Sequence, residues 1–252
     1  MSKIYLFDVD GTLTPPKTTI DPSFKKTFHK WLKPREAYII SGGSFSRIVG
    51  QLGQAIVNDC QGVFACMGNT FLRRIDTINP SGFSEWETVY ENSFKYPRDL
   101  RKDLKQMVED SPYPVKTGRH AEERVGMVNF SIVGRNATNE QREDYAQYDA
   151  EHSEREQAVG TLKDKYPKLD FVIGGAVSID IFNIGNDKSQ IIERYFEEAI
   201  EHNEIIFVGD RIPFPGNDYA LATALRQDPN GSAYEVESWE DTAELLKTEA
   251  FA

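Results

Sequence analysis

The chain has 252 residues, 39% of them hydrophobic and 27% charged, enough for one large domain or for a core carrying a smaller one. Its 29 basic and 40 acidic side chains leave a net charge of -11, which repels a nucleic-acid backbone and an anionic membrane, so an anionic ligand would need a local basic island. Two cysteines, Cys60 and Cys66, form no disulfide framework or zinc motif, no apolar run approaches the roughly 20 residues that span a bilayer, and no leader precedes the first strand; a cytoplasmic protein without nucleic-acid or membrane partners is expected.

"KIYLF" (residues 3–7) reads as a buried parallel strand ending abruptly in acid at Asp8 and Asp10. Helical spacing follows over 21–31, capped by Asp21, then a short strand "AYII" (37–40) ending at "SGGS", a helix over 44–57 and a strand "GVFAC" (62–66). Strands separated by helices imply right-handed crossovers and a parallel sheet. The middle differs: a helix over 98–109, then "RVGMVNFSIVG" (124–134) with period two, placing Val128, Phe130 and Ile132 on one face. Thr138 and Gln141 at capping-box spacing open a long polar helix to about Lys165, and strands follow at 169–173 and 177–182. The last third returns to the first pattern: an amphipathic helix over 187–200, the apolar strand "EIIFVGD" (204–210) and a helix over 239–248 capped by Ser238. The expected architecture is α/β, a Rossmann-like parallel-sheet core (1–85 and 186–252) interrupted by an inserted α+β cap (86–185).

Ligands of open parallel sheets bind beyond the carboxyl ends of the strands. Three such ends carry reactive groups here: Asp8 with Asp10, Ser41, and Asp210. Carboxylates so close repel unless a cation joins them, and oxygen-only ligands suit Mg²⁺. A carboxylate can attack phosphorus; Asp8, directly on the strand, is held for that, and Asp10, two residues on, sits where a proton donor and acceptor belongs. Gly11 permits the turn, Thr12 and Ser41 can donate to phosphate oxygens, and Lys188 can neutralise them. Asp210, Asn217 and Asp218 read either as a second oxygen-rich loop or, for the last two, as a plain turn, and "DxDGT" alone also fits a solvated turn.

"FDVDGTLT" with "GDRIPFPGND" resembles the haloacid dehalogenase superfamily of phosphoryl-transfer enzymes. Over nearly its whole length the chain resembles the eukaryotic-type phosphomannomutases, through "GGS" (42–44), "QLG" (51–53), "GMVNFSIVGR" (126–135), "GGAVSIDIF" (174–182) and "NDK" (186–188). The resemblance implies a cap closing over a hexose phosphate, with Asp8 as nucleophile and Asp10 as general acid/base, assisted by Ser41 and Lys188. Asp8, the backbone carbonyl of Asp10 and Asp210 would hold Mg²⁺. Arg124, Arg135, Arg142, Ser178 and Asp180 in the cap, with Lys17 and Ser44 in the core, would bind the substrate. A hexose 1,6-bisphosphate activator and a homodimer through the caps are also implied. The residues agree in two places. Ser178 and Asp180 differ by two and share a strand face, and Arg142 lies in the first turn of an expected helix, where the macrodipole disfavours a cation without an anionic partner.

The chain departs from the family pattern at Lys17, where arginine is usual, at Met67-Gly68, where Asn-Gly is usual, at Ser41 and within "DRIPFPGND". Ser41 brings its loop closer to phosphatases of the superfamily. The expected activity is interconversion of mannose 6-phosphate and mannose 1-phosphate, with a sugar-phosphate phosphatase using the same nucleophile as the alternative. A receiver-like phosphoacceptor also clusters acids at strand ends, but the inserted middle segment and the Gly11-Thr12 turn count against it.

Overall fold

A computed structural model describes residues 2–16, 18–78 and 84–251. The apolar opening run forms β1 (Ser2–Phe7). Its alternate residues enter two separate apolar clusters, Tyr5 and Phe7 in one and Ile4 and Leu6 in the other, so both faces of the sheet are covered. That double burial is why the strand is continuously apolar rather than alternating. Helix α1 (Pro22–Leu32) starts where Asp21 accepts from the backbone N–H groups of Ser23 and Phe24. After β2 (Glu36–Ile40), the helix expected over 44–57 is two, α2 (Phe45–Leu52) and α3 (Gln54–Asp59), broken where Gly53 adopts φ +82°. Strand β3 (Gly62–Ala65) is followed by an antiparallel hairpin, β4 (Thr70–Ile78) and β5 (Ser84–Glu91), that the sequence reading lacked. The expected boundary at residue 85 therefore cuts a strand; β5 stays with the core sheet to Glu91.

The inserted segment builds its own layer. Helix α4 (Arg98–Asp110) precedes β6 (Ala121–Arg124) and β7 (Met127–Phe130). The single strand expected over 124–134 is instead a tight reversal, because Gly126 takes φ +67° and turns β7 back antiparallel to β6. Val128, Phe130 and Ile132 nevertheless all enter the cap's apolar cluster. The capping box at Thr138 and Gln141 opens α5 (Asn139–His152), but the long helix breaks at Ser153, φ +53°, before α6 (Glu154–Lys165). The buried Arg155 Nε donates to Asp149 Oδ2 at 2.7 Å across this break. Strands β8 (Leu169–Gly174) and β9 (Ser178–Asn183) complete an antiparallel sheet in the order β6-β7-β9-β8.

On the return to the core, the helix expected over 187–200 is a π-helical turn (Ile192–Phe196) running into α7 (Glu197–His202). Strand β10 (Asn203–Gly209) pairs in parallel with β1. Helix α8 (Tyr219–Gln227) and strand β11 (Gly231–Glu235) were not foreseen, and α9 (Trp239–Leu245) begins at the Ser238 cap. The core sheet runs β11-β10-β1-β2-β3-β4-β5, parallel through β3 and antiparallel beyond. Strands β10, β1 and β2 are thus neighbours, so Asp210, Asp8 and Ser41 leave adjacent strand ends. Cap meets core there: Arg124 Nη1 donates to the Gly42 carbonyl at 2.6 Å, and Ile173 N to the Pro215 carbonyl at 3.4 Å. No helix among the described residues is long and apolar enough to cross a membrane.

Candidate active site

At the β1 tip the chain turns on itself, with the N–H groups of Leu13 and Thr14 donating to the Val9 carbonyl at 2.9 and 3.0 Å. Gly11 has φ +88°, and a Cβ there would stand 2.4 Å from Asp210 Oδ2, so no other residue fits between the two acidic tips. Asp8 is buried, and Lys188, with no exposed surface, donates to Asp8 Oδ1 and to Asp218 Oδ1, both at 2.6 Å. Burial alone would lower the Lys188 pKa, but Asp218 and Asp8 outweigh it and keep the ammonium protonated. Asp218 was read as ligand loop or plain turn; its full burial and its bond to Lys188 remove the turn reading.

One oxygen from each of Asp8, Asp210 and Asp218 lies within 4.8 Å of the others. Burial, then Asp218 and Asp210, push the Asp8 carboxyl well above its usual range, while Lys188 opposes them. Burial and Asp218 likewise push Asp210 up to about 7. One buried ammonium thus leaves three acids under-compensated, and an oxygen-only donor set of this kind fits a hard divalent cation. The Asp10 carboxylate lies off this cluster: Oδ1 accepts from Gln51 Nε2 at 2.9 Å and Oδ2 from Arg47 Nη2 at 3.4 Å, both on α2. Ser41 is buried at the β2 tip, its Oγ accepting from Gly43 N at 3.1 Å.

Asp8, Asp10, Ser41 and Asp210 line one wall of a cavity of about 240 Å³ between core and cap, and Arg124, Arg135, Arg142, Ser178 and Asp180 line the other. Ser44 does not line it; it stands at the start of α2 with its hydroxyl 3.2 Å from that of Ser46. Lys17 lies outside the described residues. Asn217, read as part of the oxygen-rich loop or as a turn, lines the cavity, and so do Arg47 and Asn129, which had not been singled out for it. Arg47 was detectable as a further cation one helical turn before "QLG", and Asn129 lies opposite Asp180 in the β7–β9 register.

The cap wall is cationic and only partly answered. Arg124 Nε donates to Glu122 Oε2 at 3.1 Å, and Arg135 Nη2 lies 3.2 Å from the same oxygen. Arg135 Nε and Arg142 Nη1 are buried without a hydrogen-bond partner. Burial and Arg124 push Arg135 down to about 10, and burial and Arg47 lower Arg142. Buried guanidinium N–H groups left unpaired cost more than most polar atoms, and a phosphate would satisfy them. Deeper in, Ser178 Oγ donates to the Gly174 carbonyl at 2.6 Å and Asn129 Nδ2 to the buried Asp180 Oδ1.

A parallel sheet with acids at adjacent tips, a buried lysine tying them and a cap inserted over the opening define the haloacid dehalogenase class of fold. A solved haloacid dehalogenase-like hydrolase from Bacteroides thetaiotaomicron shares it at a TM-score of 0.53 and 16% identity, covering 88% of this chain and 85% of that one. Within the class, the family model described as eukaryotic phosphomannomutase matches residues 24–251. The chain is 33% identical over 246 residues to a phosphomannomutase of Dendrobium officinale, covering 97% of this chain and 92% of the relative. It is 32% identical over 250 residues to that of Saccharomyces cerevisiae, covering 98% and 94%. The chain belongs to the eukaryotic phosphomannomutase family.

Proposed function

We propose that this protein interconverts mannose 6-phosphate and mannose 1-phosphate through a phosphoryl group carried on Asp8. The observation that carries the reading is the opposition of two poles across one cavity. Acids and a buried lysine stand on the core side, and three cap arginines, two of them with unpaired N–H groups, stand on the other. A molecule with one reacting end and one phosphate held at a distance fits that arrangement.

Asp8 attacks the phosphorus of a hexose 1,6-bisphosphate activator, and the bond from phosphorus to the sugar oxygen breaks. Asp10 supplies the proton to that oxygen. In the return step Asp10 takes the proton from the hydroxyl at the sugar's other end as that oxygen accepts the phosphoryl group from Asp8. Ser41 hydrogen-bonds the transferring phosphoryl oxygens, and Lys188 fixes Asp8 and offsets its charge. Arg124, Arg135 and Arg142 hold whichever phosphate is not reacting, while Ser178 and Asp180 bind sugar hydroxyls; Lys17 and Ser44 complete the substrate contacts the resemblance implies. Asp8, Asp210 and the backbone carbonyl of Asp10 would hold Mg²⁺, with Asp218 beside them, and the bound ion supplies positive charge to the phosphoryl oxygens. A homodimer formed through the caps rests on the family resemblance, and a cytoplasmic location on the two cysteines, which are free and buried; gel filtration tests the dimer.

The test supplies mannose 1-phosphate, Mg²⁺ and a trace of glucose 1,6-bisphosphate, and measures mannose 6-phosphate beside free phosphate. Isomer forming well ahead of free phosphate is the expected result. Free phosphate ahead of isomer would replace the mutase with the phosphatase reading.

A further inference from the structure

The "QLG" stretch at 51–53 has no role in the chemistry above, yet its first residue is tied to it. Gln51 is 6% exposed although its side chain is polar and uncharged. Its Nε2 donates to Asp10 Oδ1 at 2.9 Å, with Thr14 Oγ1 at 3.3 Å and the Thr18 carbonyl at 3.4 Å on the same nitrogen. Its Oε1 accepts from Arg47 Nε at 3.4 Å, one turn earlier on α2, and its backbone carbonyl accepts from Ile20 N at 2.9 Å. Because the carboxamide oxygen faces a cation that can only donate, the NH₂ is the end left to face the carboxylate.

The geometry points to Gln51 as a positioning residue that holds the Asp10 carboxylate for its proton transfers. This rests on the proposed role of Asp10. The backbone of the acidic turn is already fixed by bonds to the Val9 and Thr14 carbonyls. The orientation of the Asp10 side chain depends on its own contacts, and α2 supplies two of them from a rigid element beside the cavity. A proton donor misplaced by about an ångström loses much of its effect, so a single buried amide can matter without touching substrate. Arg47, which lines the cavity and reaches Asp10 Oδ2, keeps the amide from turning over.

The experiment compares two substrates in the presence of Mg²⁺, with a trace of glucose 1,6-bisphosphate added to the sugar phosphate only. The sugar phosphate needs a proton delivered to its leaving oxygen; para-nitrophenyl phosphate, whose leaving phenolate is stable without one, does not. For Gln51→Met the expected result is a kcat on mannose 1-phosphate lower by about 10- to 100-fold, with KM within about twofold, and a first-turnover rate of nitrophenolate release, which precedes any proton transfer to water, within about threefold of the parent. Gln51→Glu, of the same size, serves as second variant should Gln51→Met fold poorly, as judged by its melting temperature; its carboxylate faces Asp10, and the same split is expected. An unchanged kcat on the sugar phosphate, or equal losses on both substrates, would overturn the proposal. If the parent releases phosphate from mannose 1-phosphate without isomerising it, the mutase reading fails while the two-substrate comparison still reads Gln51. If the parent cleaves neither substrate, both proposals fall.

Discussion

The two walls of the cavity handle charge in opposite ways. On the core side, a lysine without exposed surface sits between two carboxylates at 2.6 Å each, so the cation there is fully answered. On the cap side, Arg124 and Arg135 share one acid, Glu122, Arg142 donates to backbone carbonyls, and two guanidinium nitrogens are buried with no partner. On the core wall the cation is satisfied and the acids are in excess. The cap wall is left short of negative charge, and the ligand completes it. Removing a cation should therefore do opposite things on the two sides.

The largest expected effect comes from a near-isosteric change: Asp8→Asn keeps the size of the side chain but removes the nucleophile and one of the two carboxylates beside Lys188. Isomerisation should fall by about 10⁴-fold or more while the far-ultraviolet circular dichroism stays that of the parent. Retained turnover would assign the phosphoryl group to another residue. Next, Lys188→Met leaves Asp8 and Asp218 buried without their ammonium, which should cost about 3–5 kcal/mol in urea unfolding. A variant as stable as the parent would show that the core wall does not depend on its cation.

Arg142→Ala is the cap-side counterpart. Its Nε and Nη2 reach only backbone carbonyls, at 3.1 and 3.2 Å, so unfolding stability should stay within about 1 kcal/mol. KM for mannose phosphates should rise by about tenfold or more, as expected for a lost charged hydrogen bond. A stability loss matching that of Lys188→Met would erase the contrast between the walls. The smallest effect is one of pH. Asp210, held near pH 7 against an unfolded value near 3.8, binds a proton in the folded state that the unfolded state has released. In chelator, stability should accordingly fall as pH rises from about 4 to 7 and level off above, Asp8 adding in the same direction. Melting temperatures between pH 5 and 8 should show that slope, Asp210→Asn should flatten it, and added Mg²⁺ should offset it. A flat metal-free profile in the parent would show the acids to be relieved by something other than a cation.

What the sequence made legible follows from which interactions are local. Strand β1 announced itself through its apolar run, and Asp21, Thr138 and Ser238 cap helices at the expected places because a cap acts over two or three residues. Where a single backbone conformation decides the outcome, the pattern misled. Gly53 and Ser153 each split one expected helix into two, and Gly126 folded one expected strand into a hairpin. The β4–β5 hairpin escaped because antiparallel strands toward the sheet's margin, with partly exposed side chains, lack the continuous apolar signature of β1. In the site, Asp8, Asp10 and Asp210 could be read from their strand ends, and the cap arginines came with the family resemblance. Gln51 and Asp218 could not be placed, since their partners lie 41 and 30 residues away and only the fold brings them together.

Gly11 has one consequence for how damage to this protein would be distributed. It has no functional group and takes part in no step, yet any side chain at that position meets the carboxylate of Asp210. In a random mutagenesis screen for lost activity, position 11 should therefore score as harshly as the acids on either side of it. Substitutions there should be lost even when as mild as alanine. A map of intolerance across this loop would trace the space between the acidic tips as clearly as the tips themselves.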